Sequence, residues 1–240
     1  CKMNRKKIHI FLVFVICISA LVYISLNFQS KFIIKDNVLL EYKRGILADI
    51  MPKKEIVIPE GVTEIREYTF DGCKELKSIV IPDSVVKING CAFMGCKSLV
   101  EIRLPKNLTE IPFACFSGCK QLRTVVLNEK LGNIDMFAFA NCKKLEHIKF
   151  PNSIRKIDEF SFCYTGLQKV ELPEGLEYIG GEVFMGDDNL EEIKFPKSLK
   201  IIDAKGYLFD ECPNLKKIIL PKGFDLDLVY DDTVSIEYYE

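Results

Sequence analysis

The residues of this chain that could carry chemistry are few, and most of them recur at fixed spacing. Cys73, Cys96, Cys119, Cys142 and Cys212 each stand three residues after a phenylalanine. They form a column, with no Cys-x-x-Cys pair among them. Tetrahedral zinc needs four converging ligands, whereas a column of equivalent positions is linear, so no metal is expected. Side chains of one column point the same way and are expected to pack as small buried hydrophobes, the usual fate of a free cysteine. Cys91 and Cys115 lie close to Cys96 and Cys119. In an exported protein that leaves a bridge open, provided the facing geometry is met.

Other reactive types are sparse. His9 sits in an apolar run, and His147 lies in the strand-like segment Leu145-Glu146-His147-Ile148-Lys149-Phe150 as a solvated face residue. Ser117-Gly118-Cys119-Lys120 and Ser153-Ile154-Arg155-Lys156 match a Ser-x-x-Lys string, in which a lysine could activate a serine. Both strings fall wholly inside the repeat described below, so a structural role is expected. Asn107-Leu108-Thr109 has the pattern of a glycosylation acceptor, meaningful in a eukaryotic secretory pathway and otherwise a loop step. Phosphate-binding, dinucleotide and hydrolase fingerprints are absent from the sequence. The chain reads as no enzyme, with no cofactor.

Charge and the N-terminus bound the partners. The formal net charge is −1, and Lys2, Arg5, Lys6 and Lys7 precede any acid, leaving 29 basic against 34 acidic side chains in the remainder. A mildly acidic body binds phosphates poorly, so nucleic acid is not an expected partner. Behind the basic cluster an apolar run begins at Ile8 and ends at Phe28, interrupted by His9, Ser19, Ser25 and Asn27. Its length is close to the roughly 20 residues that span a bilayer. With the basic flank retained in the cytoplasm, the rest of the chain is placed outside. No small-residue cleavage site follows Ala20, and Ile16 stands before Cys17 where a lipoprotein signal has a small residue. An uncleaved signal anchor is the reading taken.

The elements that position everything else come from a repeat. Ile58-Pro59, Ile81-Pro82, Leu104-Pro105, Leu127-Asn128, Phe150-Pro151, Leu172-Pro173, Phe195-Pro196 and Leu220-Pro221 recur at intervals of 23, 23, 23, 23, 22, 23 and 25 residues. Phe70, Phe93, Phe116, Phe139, Phe162, Phe184 and Phe209 form a second column, and Leu76, Leu99, Leu122, Leu145, Leu167, Leu190 and Leu215 a third. Between them runs a [VIL]-x-x-I step, such as Val85-x-x-Ile88. The turn that follows Phe162 is one residue short, and residues 204–208 carry two extra.

In Leu99-Val100-Glu101-Ile102-Arg103-Leu104 the alternation points Ile102 and Leu104 inward and Arg103 outward, predicting one short strand per repeat. Proline after the strand ends the ladder, and Gly72, Gly95 and Gly118 permit the return turn. One repeat cannot bury its own columns, so neighbours must stack above and below. About eight coils of 22–25 residues give a β-rich solenoid on the order of 35–40 Å long with a parallel strand sheet.

These columns resemble the BspA-like leucine-rich repeats, seen largely on surface proteins of bacteria and some protozoa. The resemblance covers residues 53–221. Residues 1–30 are read as basic flank and transmembrane helix. Residues 31–52, with Asp36-Asn37 at a turn, are read as a hairpin cap and linker, and 222–240 as the C-terminal cap. Caps cover edge strands that would otherwise invite pairing.

The resemblance implies that the outward face of the strand sheet binds a ligand. One outward column reads Val57, Val80, Arg103, Val126, Lys149, Glu171, Lys194 and Ile219, and the other Glu55, Ser78, Glu101, Thr124, His147, Lys169, Glu192 and Lys217. Both vary from coil to coil while the inward columns do not. Lys149, Glu171 and Lys194 could also pair across coils and leave the face self-satisfied. No aromatic residue occurs in either column, which favours a protein over a carbohydrate. The expectation is a non-catalytic, membrane-anchored, extracytoplasmic module that binds a host or neighbouring-cell surface protein. The rival is a structural spacer of the envelope with an idle face.

Overall fold

Asn37 follows Asp36 between two apolar segments, and both adopt the left-handed conformation, with φ of 62° and 51°, that a two-residue hairpin turn demands. They join antiparallel β1 (Lys31–Lys35) and β2 (Val38–Lys43). A computed structural model of the chain describes residues 31–43, 55–203, 207–224 and 233–240. The run from Ile8 to Phe28 lies outside the described residues, as does part of the 204–208 insertion. Among the described residues no helix is long and apolar enough to cross a membrane.

The described repeats form a β-solenoid of about seven turns, slightly fewer than the sequence count. One parallel sheet comes from the segments before the proline column: β3 (Glu55–Val57), β5 (Ser78–Val80), β7 (Glu101–Arg103) and β9 (Thr124–Val126), then β12 (Lys169–Glu171), β14 (Glu192–Lys194), β16 (Lys217–Pro221) and β17 (Ser235–Tyr239). The single strand expected per coil is joined by a second. The [VIL]-x-x-I step ends in a two-residue strand, giving β4 (Glu64–Ile65), β6 (Lys87–Ile88), β8 (Glu110–Ile111), β10 (Asn133–Ile134), β11 (Lys156–Ile157), β13 (Tyr178–Ile179) and β15 (Ile201–Ile202). β2 pairs in parallel with β4, so the hairpin covers the end of this second sheet.

A third ladder runs through the turns. The amides of Phe93 and Gly95 donate to Cys115 and Ser117 of the next coil at 3.0 and 2.7 Å, and those of Phe116 and Gly118 to Ala138 and Ala140 at 2.8 and 2.7 Å. The turns from Phe70 to Phe184 each bend at two left-handed residues, two places before and two after the phenylalanine. They are Cys91 and Gly95 in one coil, Ala114 and Gly118 in the next, then Phe137 and Asn141. A side chain in that conformation costs roughly 1–2 kcal/mol, offset here by the ladder the bend makes possible.

Two interruptions divide the sheets. The second sheet breaks between β6 and β8. At the equivalent place the amides of Asn89 and Asp135 donate to Ile65 and Ile111, but Pro112 has no N–H to offer Ile88. The first sheet breaks between β9 and β12. The strand expected over Leu145–Phe150 is therefore absent, and Ile148 is only half-buried. This break falls beside the short turn after Phe162, which brings the chain to β12 a residue early.

All three faces close on one core. Phe70, Phe93, Phe116, Phe139, Phe162, Phe184 and Phe209 stack with successive centroid distances of 5.1, 5.4, 5.4, 5.2, 6.1 and 6.3 Å. The leucine column is buried beside them. The described cysteines are free thiols, and all except Cys212 are buried. The thiols of Cys96, Cys119, Cys142 and Cys212 donate to the carbonyls of Phe70, Phe93, Phe116 and Phe184, the phenylalanines of the coil before. Burial pushes the Cys142 thiol far up, which keeps it protonated and inert. In two coils the thiol's place is taken by Thr165 and Asp187, and the Thr165 amide and hydroxyl lie within hydrogen-bond distance of the two oxygens of the buried Asp187 carboxyl group.

Candidate binding face

Alternation along each strand turns one residue inward and its neighbours outward, and parallel register then sets equivalent residues of successive coils side by side. Val57 lies beside Val80, Glu101 beside Thr124, and Arg103 beside Val126. Farther along, Lys169 lies beside Glu192 and Glu171 beside Lys194. Val80, Arg103, Val126, Glu101, Thr124, Lys169 and Glu171 are exposed, while Lys194 and Glu192 are half-buried. His147 and Lys149 are exposed too, but they stand in the interrupted coil and pair with neither β9 nor β12.

The face is chemically divided. Its N-terminal part carries a valine stripe interrupted by Arg103, with Val57 59%, Val80 45% and Val126 40% exposed. Its C-terminal part is charged and paired within itself. Lys194 meets Glu171 at 2.6 Å, and Lys217 meets Glu192 at 3.1 Å and Glu237 at 3.4 Å. The Glu171 hydrogen bond raises the Lys194 pKa. The cross-coil charge pairing considered for Lys149, Glu171 and Lys194 thus holds for the last two only. Tyr239 of β17 closes this end, its ring 5.2 Å from the Lys194 ammonium and its hydroxyl donating to Phe195 O at 2.9 Å.

Two grooves mark where the first sheet loosens. The smaller, about 290 Å³, is lined by Val80, Arg103 and Thr124 among others, where β5 and β7 share a single pair of residues. The larger, about 690 Å³, lies at the break, with Val126, Ile148, Lys149, Pro151, Glu171 and Pro173 in its walls. From the sequence Ile148 is not read as a site residue, and Pro151 and Pro173 are read only as ends of strands. The missing residue after Phe162 was the available signal.

The serine-lysine strings have structural work. Ser153 donates to Leu131 O at 2.7 Å, and Lys156 is bound to Asp158 at 2.6 Å, which raises its pKa and leaves it no base. Ser117 supplies a carbonyl to the turn ladder. Among the described residues no group of three or more histidine, cysteine or acidic side chains could hold a metal ion.

Parallel strands, a proline at the end of most of them, and continuous Leu, Ile and Phe columns define a leucine-rich-repeat solenoid. The description "BspA type Leucine rich repeat region" matches the chain in 6 copies, over residues 48–164 and 109–227, and the chain belongs to that family. Among solved structures it is similar to a leucine-rich repeat protein from Bacteroides ovatus, at 27% identity and a TM-score of 0.50, over 78% of this chain and 61% of that one. The chain thus spans about three fifths of that protein's length. It is also similar to the T. pallidum leucine rich repeat protein, at 24% identity and a TM-score of 0.54, over 82% and 85% of the two chains. A leucine rich cell surface protein from Faecalibacterium prausnitzii matches at 19% identity and a TM-score of 0.48, over 87% and 70%. None of the curated proteins matches. Leucine-rich-repeat proteins are generally protein-interaction modules, a non-enzymatic type.

Proposed function

We propose that the chain is a non-catalytic adhesion module, displayed outside the cell from a membrane anchor at Ile8 to Phe28, and that it holds a host or neighbouring-cell protein on its strand face. The observation that carries this reading is the contrast between a uniform core and an outward face that changes from coil to coil. An exposed valine stripe and two grooves lie on that face. Clustered exposed apolar groups rimmed by charge are what protein contact surfaces offer. The test is capture by the full chain from a panel of purified matrix and surface proteins, with simultaneous charge reversal at Arg103, Lys149 and Lys194. The expected result is a partner lost on reversal; absence of any partner across the panel counts against the reading.

A spacer role is the second reading, and the self-paired charges of the C-terminal part favour it. An idle face tolerates the triple reversal without loss of envelope phenotype. Protease shaving of intact cells tests display: fragments recovered only after lysis refute it.

A further inference from the structure

We propose that a row of lysines on the flank of the solenoid, Lys74, Lys97, Lys120 and Lys143, binds a linear anionic polysaccharide laid along the solenoid axis. The row stands between the turns and the strand sheet and uses no residue of the two outward columns. The proposal therefore stands whether or not the strand face has a partner.

The repeat sets the geometry. Each of the four lysines is exposed and follows a buried cysteine of the thiol column. Two backbone ladders hold them in register. On one side the amides of Gly72, Gly95 and Gly118 donate to Met94, Ser117 and Ala140 at 2.7–2.8 Å, and on the other those of Val100 and Arg123 donate to Lys77 and Val100 at 3.0 and 2.8 Å. The rings beneath, from Phe70 to Phe139, repeat at 5.1–5.4 Å. The four ammonium groups thus issue from backbone positions about 5 Å apart. Exposed Lys77, Arg123 and Lys144 widen the row to seven cations.

Elsewhere the solenoid sets a lysine against a carboxylate of the neighbouring coil. Lys87 meets Glu64, Lys106 meets Asp83, Lys194 meets Glu171, Lys200 meets Glu177 and Lys217 meets Glu192, all within 3.1 Å. Among the described residues none of the seven cations has a carboxylate within 4.0 Å. Like charges side by side on neighbouring coils repel, and a bound polyanion removes that cost. In the segments 71–77, 94–100, 117–123 and 140–146 the acids are Asp71, Glu75 and Glu146, so the two middle coils have none. Glu75 is buried. Beyond Lys143 the column passes to Gly166, Asp188 and Pro213, and the row ends at the short turn.

The make-up of the row selects its occupant. Six of the seven cations are lysines, point charges on flexible stems without the planar fork by which arginine grips a single carboxylate or phosphate. They suit many anions in series. The four segments hold no aromatic residue, so nucleobases find nothing to stack on. Val100 is their one exposed apolar side chain, which leaves a folded protein partner without a buried anchor. Sulfate or carboxylate groups repeated along an unbranched sugar chain need neither.

The experiment measures binding of labelled dextran sulfate to the full chain in mild detergent, by fluorescence anisotropy over rising sodium chloride. The expected binding weakens steeply with salt. Lys97→Glu combined with Lys120→Glu should lower affinity about tenfold or more. Lys106→Glu combined with Lys130→Glu, the same change of charge off the row, should lower it about twofold or less. Circular dichroism melts check that both variants fold. Absence of binding, or a row variant that loses no more than the off-row one, overturns the proposal and leaves the lysines a solvated flank. Tighter binding of polyglutamate or of a single-stranded oligonucleotide than of dextran sulfate also overturns it, assigning the row to an acidic protein segment or to nucleic acid.

Discussion

Asp187 offers the sharpest test of how the core is built, because it puts a carboxyl where the regular coils put a thiol. It is fully buried. Desolvation pushes its pKa from 3.8 up to about 8, against the opposing hydrogen bonds from Thr165. The folded state thus holds a proton that the unfolded state has released. The resulting stability is fully present below about pH 4 and is lost as pH rises through about 8. At about 1.4 kcal/mol per unit the whole interval is worth at most about 6 kcal/mol, and the span from pH 5 to pH 7 about 3. For a chain of this length that span is about 6–12 °C in melting temperature. Asp187→Asn keeps an oxygen for the Thr165 amide and an amide group beside its hydroxyl, with no charge to bury. Thermal melts of both proteins from about pH 4 to pH 9, followed by far-ultraviolet circular dichroism, isolate this group, since other titrations cancel in the difference. The variant should gain on the parent steadily as pH rises and exceed it by several degrees at the alkaline end. A difference that stays flat with pH refutes the reasoning.

Phe139 is sandwiched between Phe116 and Phe162 at 5.4 and 5.2 Å and has no exposed surface, so Phe139→Ala should cost about 3–5 kcal/mol in urea unfolding. The seven buried thiols, Cys73, Cys91, Cys96, Cys115, Cys119, Cys142 and Cys163, should resist a thiol reagent in the native state, react on unfolding, and leave the melting temperature unmoved by dithiothreitol. Lys194→Met should change stability by less than about 1 kcal/mol, because the Glu171 partner is largely exposed; a larger loss would assign the weight to the Tyr239 contact. Replacing the proline at the break of the second sheet, Pro112→Asn, restores a donor opposite Ile88 and should slow hydrogen exchange around β6 and β8.

Periodicity made the core legible because burial acts on every coil alike. The Phe, Leu and Ile columns read from the sequence are the buried ones, and the family they resemble is the family the chain belongs to. Elements without a hydrophobic period stayed hidden. A two-residue strand such as Lys87–Ile88 is too short to alternate, and the turn ladder rests on backbone conformations that Cys91, Ala114 and Phe137 do not advertise. The strand assigned around His147 follows the same apolar pattern as its neighbours. Hydrogen bonding, which the pattern does not encode, decides otherwise. Asp187 was missed for a related reason: reading the thiol column passes over the coils where another residue takes its place.

The arrangement of three ladders explains why one face can vary. At the Pro112 break the turn ladder still joins neighbouring coils, with Cys91, Phe93 and Gly95 donating to Phe113, Cys115 and Ser117. Between β9 and β12 the turn ladder and the second sheet both remain. Loss of pairing on one side is therefore tolerated, since the stacked phenylalanines and the other ladders keep each coil in place. Outward positions on the strand face carry neither the stack nor the turn, so substitutions there cost little. A solenoid secured in this way can change its contact residues, and even open a groove between coils, while the core that specifies the fold stays the same.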